Sequence, residues 1–203
     1  MKKYCFLLHL FIACLSSAVF AADIAVTKIS VVHSKTGKSN ISTAKITLNG
    51  SVEISGIRVF NGGKQTVIKF PEYTSRNGKK YPQVVLITKQ AEDAVRQAIE
   101  SGLPVQAFKR IQAFGITKFT RYNGNSKLKA FAVVRLNYAV DIQCKIFEGR
   151  TGAWVAWPEI KAPGKKQWNK VVRVVNSRLK NEIEAALIEK YRNSAAESGA
   201  PVE

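Results

Sequence analysis

Short runs of alternating apolar and polar residues, broken by Asn, Gly and Pro, fill the first half of the chain. Ile24–Val32 alternates as a strand, and His33–Ser42 is a polar turn around Gly37. Thr43–Leu48, Val52–Ile54 and Ile57–Phe60 read as consecutive strands, separated at Asn49-Gly50 and Ser55-Gly56. Asn-Gly between alternating runs predicts a tight hairpin, because both turn residues need positive φ. Asn61-Gly62-Gly63 makes the next turn and Thr66–Phe70 the next strand. Pro71 ends pairing there, since proline has no amide for a ladder. A basic loop, Thr74–Tyr81, leads to the apolar run Val84–Ile87. The period then changes from strand to helix. Thr88 is the predicted N-cap of a helix through Glu100, with Ala91, Val95, Ala98 and Ile99 as its apolar face. Ser101-Gly102-Leu103-Pro104 stops it.

The same order of elements recurs from Phe114 to Arg192. IRVFNGGKQTVIKFPEY (Ile57–Tyr73) is answered by KIFEGRTGAWVAWPEI (Lys145–Ile160), and Pro71 and Pro158 lie 87 residues apart. Phe60 and Phe147 keep that offset, as do Gly62 and Gly149 and the pairs Val84-Val85 and Val171-Val172. Upstream, Leu48-Asn49 parallels Leu136-Asn137; downstream, Gly78-Lys79-Lys80 parallels Gly164-Lys165-Lys166. The offset drifts by a residue or two, which places the insertions in turns. The second helix starts after Asn176-Ser177 and carries the stripe Leu179, Ile183, Leu187 and Tyr191. Matched blocks in one order predict a duplicated domain, and two copies are too few for a solenoid. The expected fold is therefore α+β. Repeats 22–102 and 114–192 each form an antiparallel sheet with a C-terminal amphipathic helix, together a pseudo-dimer in one chain. An apolar connection, 103–113, packs between them, and 193–203 is a small, polar, disordered tail.

Charge changes the picture more than composition does. Hydrophobic residues are 46% and charged residues 23%, an ordinary globular balance. Yet 32 Lys+Arg face 14 Asp+Glu, a formal charge of +18. Such an excess attracts polyanions: nucleic acid, an anionic envelope polymer or an anionic membrane surface. Residues 1–21 read as a secretory signal, with Lys2-Lys3 before an apolar run and Val19-Phe20-Ala21 at the cleavage site. The alternatives are a retained anchor or a lipoprotein box at Phe11–Cys14. Cleavage places the protein outside the cytoplasm, periplasmic or secreted, and leaves Cys144 as the lone cysteine, in a strand pattern that suits core packing.

Catalytic chemistry finds little support. His33 is the single histidine beyond the signal, and no His/Cys/carboxylate cluster has metal-ligand spacing. Glu72 and Glu159 recur after the two prolines, where capping or orienting the turn explains them better than acid–base work does. No metal or cofactor is expected. Binding chemistry is better represented. Arg76, Lys79 and Lys80 correspond to Lys161, Lys165 and Lys166, and Lys170 and Arg173 extend the second set. Tyr73, Tyr81, Trp157 and Trp168 lie in or beside the same loops. Cations interleaved with aromatics suit phosphate contacts plus base stacking.

The strand–Gly turn–strand–Pro block resembles the SpoVG family, the stage V sporulation protein G or septation-regulator domain. Ile57-Arg58-Val59, the Gly62-Gly63 turn, Val67–Pro71, Gly78 and the helix from Thr88 follow that family's order. Lys145-Ile146-Phe147, Gly149, Trp154–Pro158, Gly164 and Asn176-Ser177 follow it again. The resemblance implies dimers formed through the sheet and DNA or RNA binding linked to gene regulation, sporulation and septation. The resulting expectation is a non-enzymatic binding protein using its duplicated basic loops. The rival is an envelope or septation-associated interaction protein that assembles through its sheet edges and the Leu179–Tyr191 helix face; the chain is expected as a monomeric pseudo-dimer or as a homo-oligomer through its sheet edges. If the signal reading fails, the protein is cytoplasmic and gene-regulatory.

Overall fold

The computed structural model describes residues 24–33, 41–61, 66–75, 77–105, 111, 113–161 and 167–197. The signal segment, most of the 103–113 connection and the Gly62-Gly63 turn lie outside these residues. The first half contributes β1 (Val26–His33), β2 (Ile41–Leu48), β3 (Val52–Phe60), β4 (Val67–Lys69), β5 (Glu72–Thr74), β6 (Lys80–Pro82), β7 (Val84–Leu86) and α1 (Lys89–Ser101). The second contributes β8 (Phe114–Arg121), β9 (Leu128–Leu136), β10 (Val140–Gly149), β11 (Gly152–Ala156), β12 (Glu159–Lys161), β13 (Trp168–Lys170), β14 (Val172–Val174) and α2 (Ser177–Glu197). The architecture is α+β, with antiparallel sheets and two helices.

Two larger sheets carry the core. One runs β1-β2-β3, the other β8-β9-β10, and each third strand has a divided outer edge. On β3 that edge pairs with β4 at Arg58–Phe60 and with β14 at Val52–Ile54. On β10 it pairs with β11 at Lys145–Gly149 and with β7 at Val140–Ile142. β7 thus leaves the first half to complete the second sheet, and β14 leaves the second half to complete the first. The two exchanges match residue for residue: Val84 faces Ile142, and Val172, 88 positions on, faces Ile54. Bonds between the halves recur at the same offset. Ile87 N donates to Ala139 O as Val175 N donates to Ser51 O.

Alternation sets which side chains enter the core. Ala44, Ile46, Leu48, Val52, Ile54, Ile57 and Val59 are buried on one inner face; Ala130, Ala132, Val134, Leu136, Ile142, Cys144 and Ile146 on the other. All join one apolar cluster with both helices. Thr88 accepts from Ala91 N and caps α1, Gly102 ends it in the left-handed conformation, and its predicted face is the buried one. Asn176 Oδ1 accepts from Leu179 N at the start of α2. The stripe Leu179, Ile183, Leu187 and Tyr191 is buried, so it is not a free assembly surface. Tyr191 O–H donates to Glu148 Oε2 at 2.8 Å, and Trp157 Nε1 donates to Glu184 Oε1 at 2.7 Å, pinning α2 to its sheet. Cys144 is buried, and burial raises its thiol pKa, which keeps it a protonated core side chain.

Several local expectations change. Asn49 and Gly50 both have positive φ, as the Asn-Gly hairpin requires, but Asn137 and Tyr138 adopt the same conformation without glycine. Val52–Phe60 is one strand, not two. Ser55 and Gly56 form a β-bulge where the register jumps between Ala44 and Ile46, with Gly56 at φ 75. The bulge is also where the offset drops from 88 (Ile54/Ile142) to 87 (Val59/Ile146), so that insertion sits inside a strand and not in a turn. The tail begins later than expected: α2 continues to Glu197, because Ala195 and Ala196 favour helix and Ser194 bonds back to Tyr191 O.

Exchange makes the two sheets one folding unit. Ile142→Ala, at a fully buried position facing Val84, is expected to cost about 2–5 kcal/mol. Denaturation should remain a single transition by fluorescence and circular dichroism. Two transitions, with one unmoved, would show that the sheets unfold independently.

Candidate polyanion-binding hairpins

Each exchanged strand is reached through a small hairpin. The segment read as the basic loop Thr74–Tyr81 is the tip of the hairpin β5–β6, with Tyr73 opposite Tyr81 and Thr74 opposite Lys80. Ser75 N donates to Lys79 O, and Gly78, at φ 79, lets the chain reverse. The counterpart is β12–β13, with Glu159 opposite Lys170 and Lys161 opposite Trp168. Both stems are tied at the prolines: Gln83 N donates to Pro71 O and Val171 N to Pro158 O. The stems also bond to each other, because Gln83 Nε2 donates to Glu159 O at 3.1 Å. Two basic hairpins therefore rise from a common root.

Lys79, Lys80, Tyr81, Lys161, Trp168 and Lys170 are all exposed on these hairpins. Trp168 is 51% exposed, so its ring face is open to a ligand. Lys79 Nζ stands 5.4 Å from the Tyr81 ring centroid, within cation–π range. Arg76, Lys165 and Lys166 lie outside the described residues. Arg173 is placed elsewhere: on β14 it faces Glu53 across the first sheet, where Glu53 also holds Lys45 at 3.0 Å. Trp157, in the link between β11 and β12, turns its indole to α2 and donates to Glu184.

Lys145 is the residue that loop-based reasoning missed. Its Nζ lies 4.1 Å from the Tyr73 ring centroid, so a strand of the second half grips the hairpin of the first. Burial lowers its pKa from 10.5, opposed by the charge of Glu159. Lys28, Lys45, Arg58 and Lys69 were missed for another reason. They are exposed cations dispersed along strands of the first sheet, and only their alternation brings them to one outer face.

The Lys145 environment gives a pH signature. Folded Lys145 holds its proton less tightly than the unfolded chain does. Between its lowered pKa and 10.5 the unfolded state therefore binds more protons, and this group's contribution to stability rises with pH. The stability of the native protein relative to Lys145→Met should climb from neutral pH toward 10.5, as read from denaturation midpoints. A flat difference would show a hydrated, unperturbed lysine.

No curated protein matches the chain. The SpoVG family model matches residues 114–193, from the start of β8 to near the end of α2.

Proposed function

We propose that the chain is a pseudo-dimer of two SpoVG-like repeats that binds an anionic polymer, nucleic acid first, through β5–β6 and β12–β13, without catalysis. The observation that carries this reading is the common root of two exposed cation–aromatic hairpins. The matched offset of pairings and inter-half bonds supports the duplication. A strand of phosphates laid across the pair would meet Lys79 and Lys80 on one side and Lys161 and Lys170 on the other. Tyr81 and Trp168 offer rings to unpaired bases. An anionic envelope polymer would use the same cations without the stacking.

The resemblance and the matched SpoVG domain connect such binding with gene regulation and septation. The signal reading of residues 1–21 places it outside the cytoplasm, and the intact mass of the native protein after fractionation decides this. A species beginning at Ala22 in the exported fraction supports export. A full-length cytoplasmic species moves the function to intracellular DNA or RNA. One observation favours the assembly reading as well: β1 ends its sheet among the described residues and leaves Val32 66% exposed.

Charge reversal of Lys79, Lys80, Lys165 and Lys166 tests the site. Affinity for a single-stranded oligonucleotide should fall, and the slope of log K against log salt should flatten by roughly 0.7 for each phosphate that no longer meets a cation. Unchanged affinity and slope would remove the hairpins from the interface.

A further inference from the structure

The outer face of the second sheet carries a row of rings that the hairpins do not use. Tyr122, just past β8, meets Phe131 of β9 edge to face at 6.2 Å. Phe131 faces Lys145 of β10 and is therefore the diagonal neighbour of Phe147. Phe147 stacks on its cross-strand partner Trp154 of β11, with centroids 5.8 Å apart and planes at 17°. The row crosses four adjacent strand positions, about 15 Å at the usual strand spacing. Tyr122, Phe131 and Trp154 are 43%, 41% and 44% exposed. Large exposed apolar surface on a sheet face is a mark of recognition sites.

The corresponding face of the first sheet differs in chemistry. Thr43 faces Arg58 where Phe131 faces Lys145, and Val67 pairs with Phe60 where Trp154 pairs with Phe147. Lys45, Arg58 and Lys69 are exposed there. Both faces hold engaged cations: on the first, Lys45 pairs with Glu53 at 3.0 Å and Lys69 lies over the Phe60 ring; on the second, Arg135 is held bidentately by Asp141 at 2.7 and 2.8 Å and Lys145 lies over Tyr73. Thr120 and Gln143 supply neutral hydrogen-bonding groups on the same face, with Lys118 at its margin. The first sheet has no aromatic counterpart of Phe131 or Trp154. The second suits a flat, uncharged polymer with apolar faces and hydroxyl edges.

We propose that Tyr122, Phe131, Phe147 and Trp154 form a binding strip for a β-linked pyranose glycan. In such a glycan the substituents are equatorial, which leaves axial C–H groups on both faces of each ring. Those faces lie against aromatic planes, while the hydroxyls at the edges reach Thr120 and Gln143. No bond is made or broken. The strip uses none of the hairpin cations, although Tyr73 of β5 reaches Lys145 beside Phe131.

The test is titration of the full chain with hexamers of β-1,4-linked glucose and of β-1,4-linked N-acetylglucosamine, followed by calorimetry and tryptophan fluorescence. At least one should bind saturably and with little dependence on salt. Phe131→Thr and Trp154→Val install the residues that the first sheet carries at these places, so the strands remain well formed. Each should weaken glycan binding about tenfold, the scale of one aromatic contact. Trp154→Phe should retain binding, and reversal of Lys79 and Lys80 should leave it unchanged. Absence of binding to both hexamers overturns the proposal. So does undiminished binding in the folded variants, or a loss confined to single-stranded oligonucleotide, which would make the row a base-stacking platform. Failure of the hairpin reading would appear separately, in the salt dependence of oligonucleotide binding.

Discussion

The fold depends on backbone pairing at two short edges. β3 and β10 are each longer than the partner that follows them in sequence, so β4 and β11 cover only part of each. The remainder, Val52–Ile54 and Val140–Ile142, would present unpaired amides and carbonyls beside a buried apolar face. Such groups are costly away from water. β14 and β7 supply the missing partners, each from the other half. Because α1 returns to β1 after β7, and α2 returns to the second sheet after β14, the chain crosses between sheets twice in each half. The hairpins β5–β6 and β12–β13 are the spans of those crossings. Their closeness at Gln83 and Glu159 follows from the exchange.

Local elements were largely legible in the sequence, and their destination was not. Strand alternation, the Thr88 cap and the stripe from Leu179 to Tyr191 all express backbone periodicity and one buried face, which a single sequence displays. The bulge at Gly56 was visible only as a break, because a glycine between two apolar runs marks a turn or a bulge equally well. Nothing in Val84–Leu86 states which sheet it joins, since any open edge accepts a short β-branched strand. The shift of offset at Ser55-Gly56 was the available clue that strand geometry differs between the halves.

The same division applies to the candidate site. Lysines adjacent in sequence, such as Lys79 and Lys80, announce themselves. Lys145 and Tyr73 meet only because the first hairpin lies over the second sheet, and no spacing rule joins residues 72 positions apart. Trp157 illustrates the opposite error. Its place beside a proline and a basic stretch suggested an aromatic open to a ligand, but its indole N–H is taken up by the part-buried Glu184 of α2. Aromatic residues near cations are ambiguous until the face they occupy is known.

Carrying both halves in one chain has a further physical consequence. In a symmetric homodimer every substitution appears twice, and both faces must serve every partner equally. A single chain escapes that constraint. Thr43 and Phe131, Val67 and Trp154, and Gln83 and Val171 occupy corresponding places with different chemistry. In the exchanged strands Val84 and Ile142 answer Val172 and Ile54, while Val85 stands where Arg173 does, so the inward positions agree and an outward one differs. Pairing energy fixes the scaffold, which leaves the two outer surfaces free to diverge. One of them exposes the cations Lys28, Arg58 and Lys69, and the other exposes the rings of Tyr122, Phe131 and Trp154.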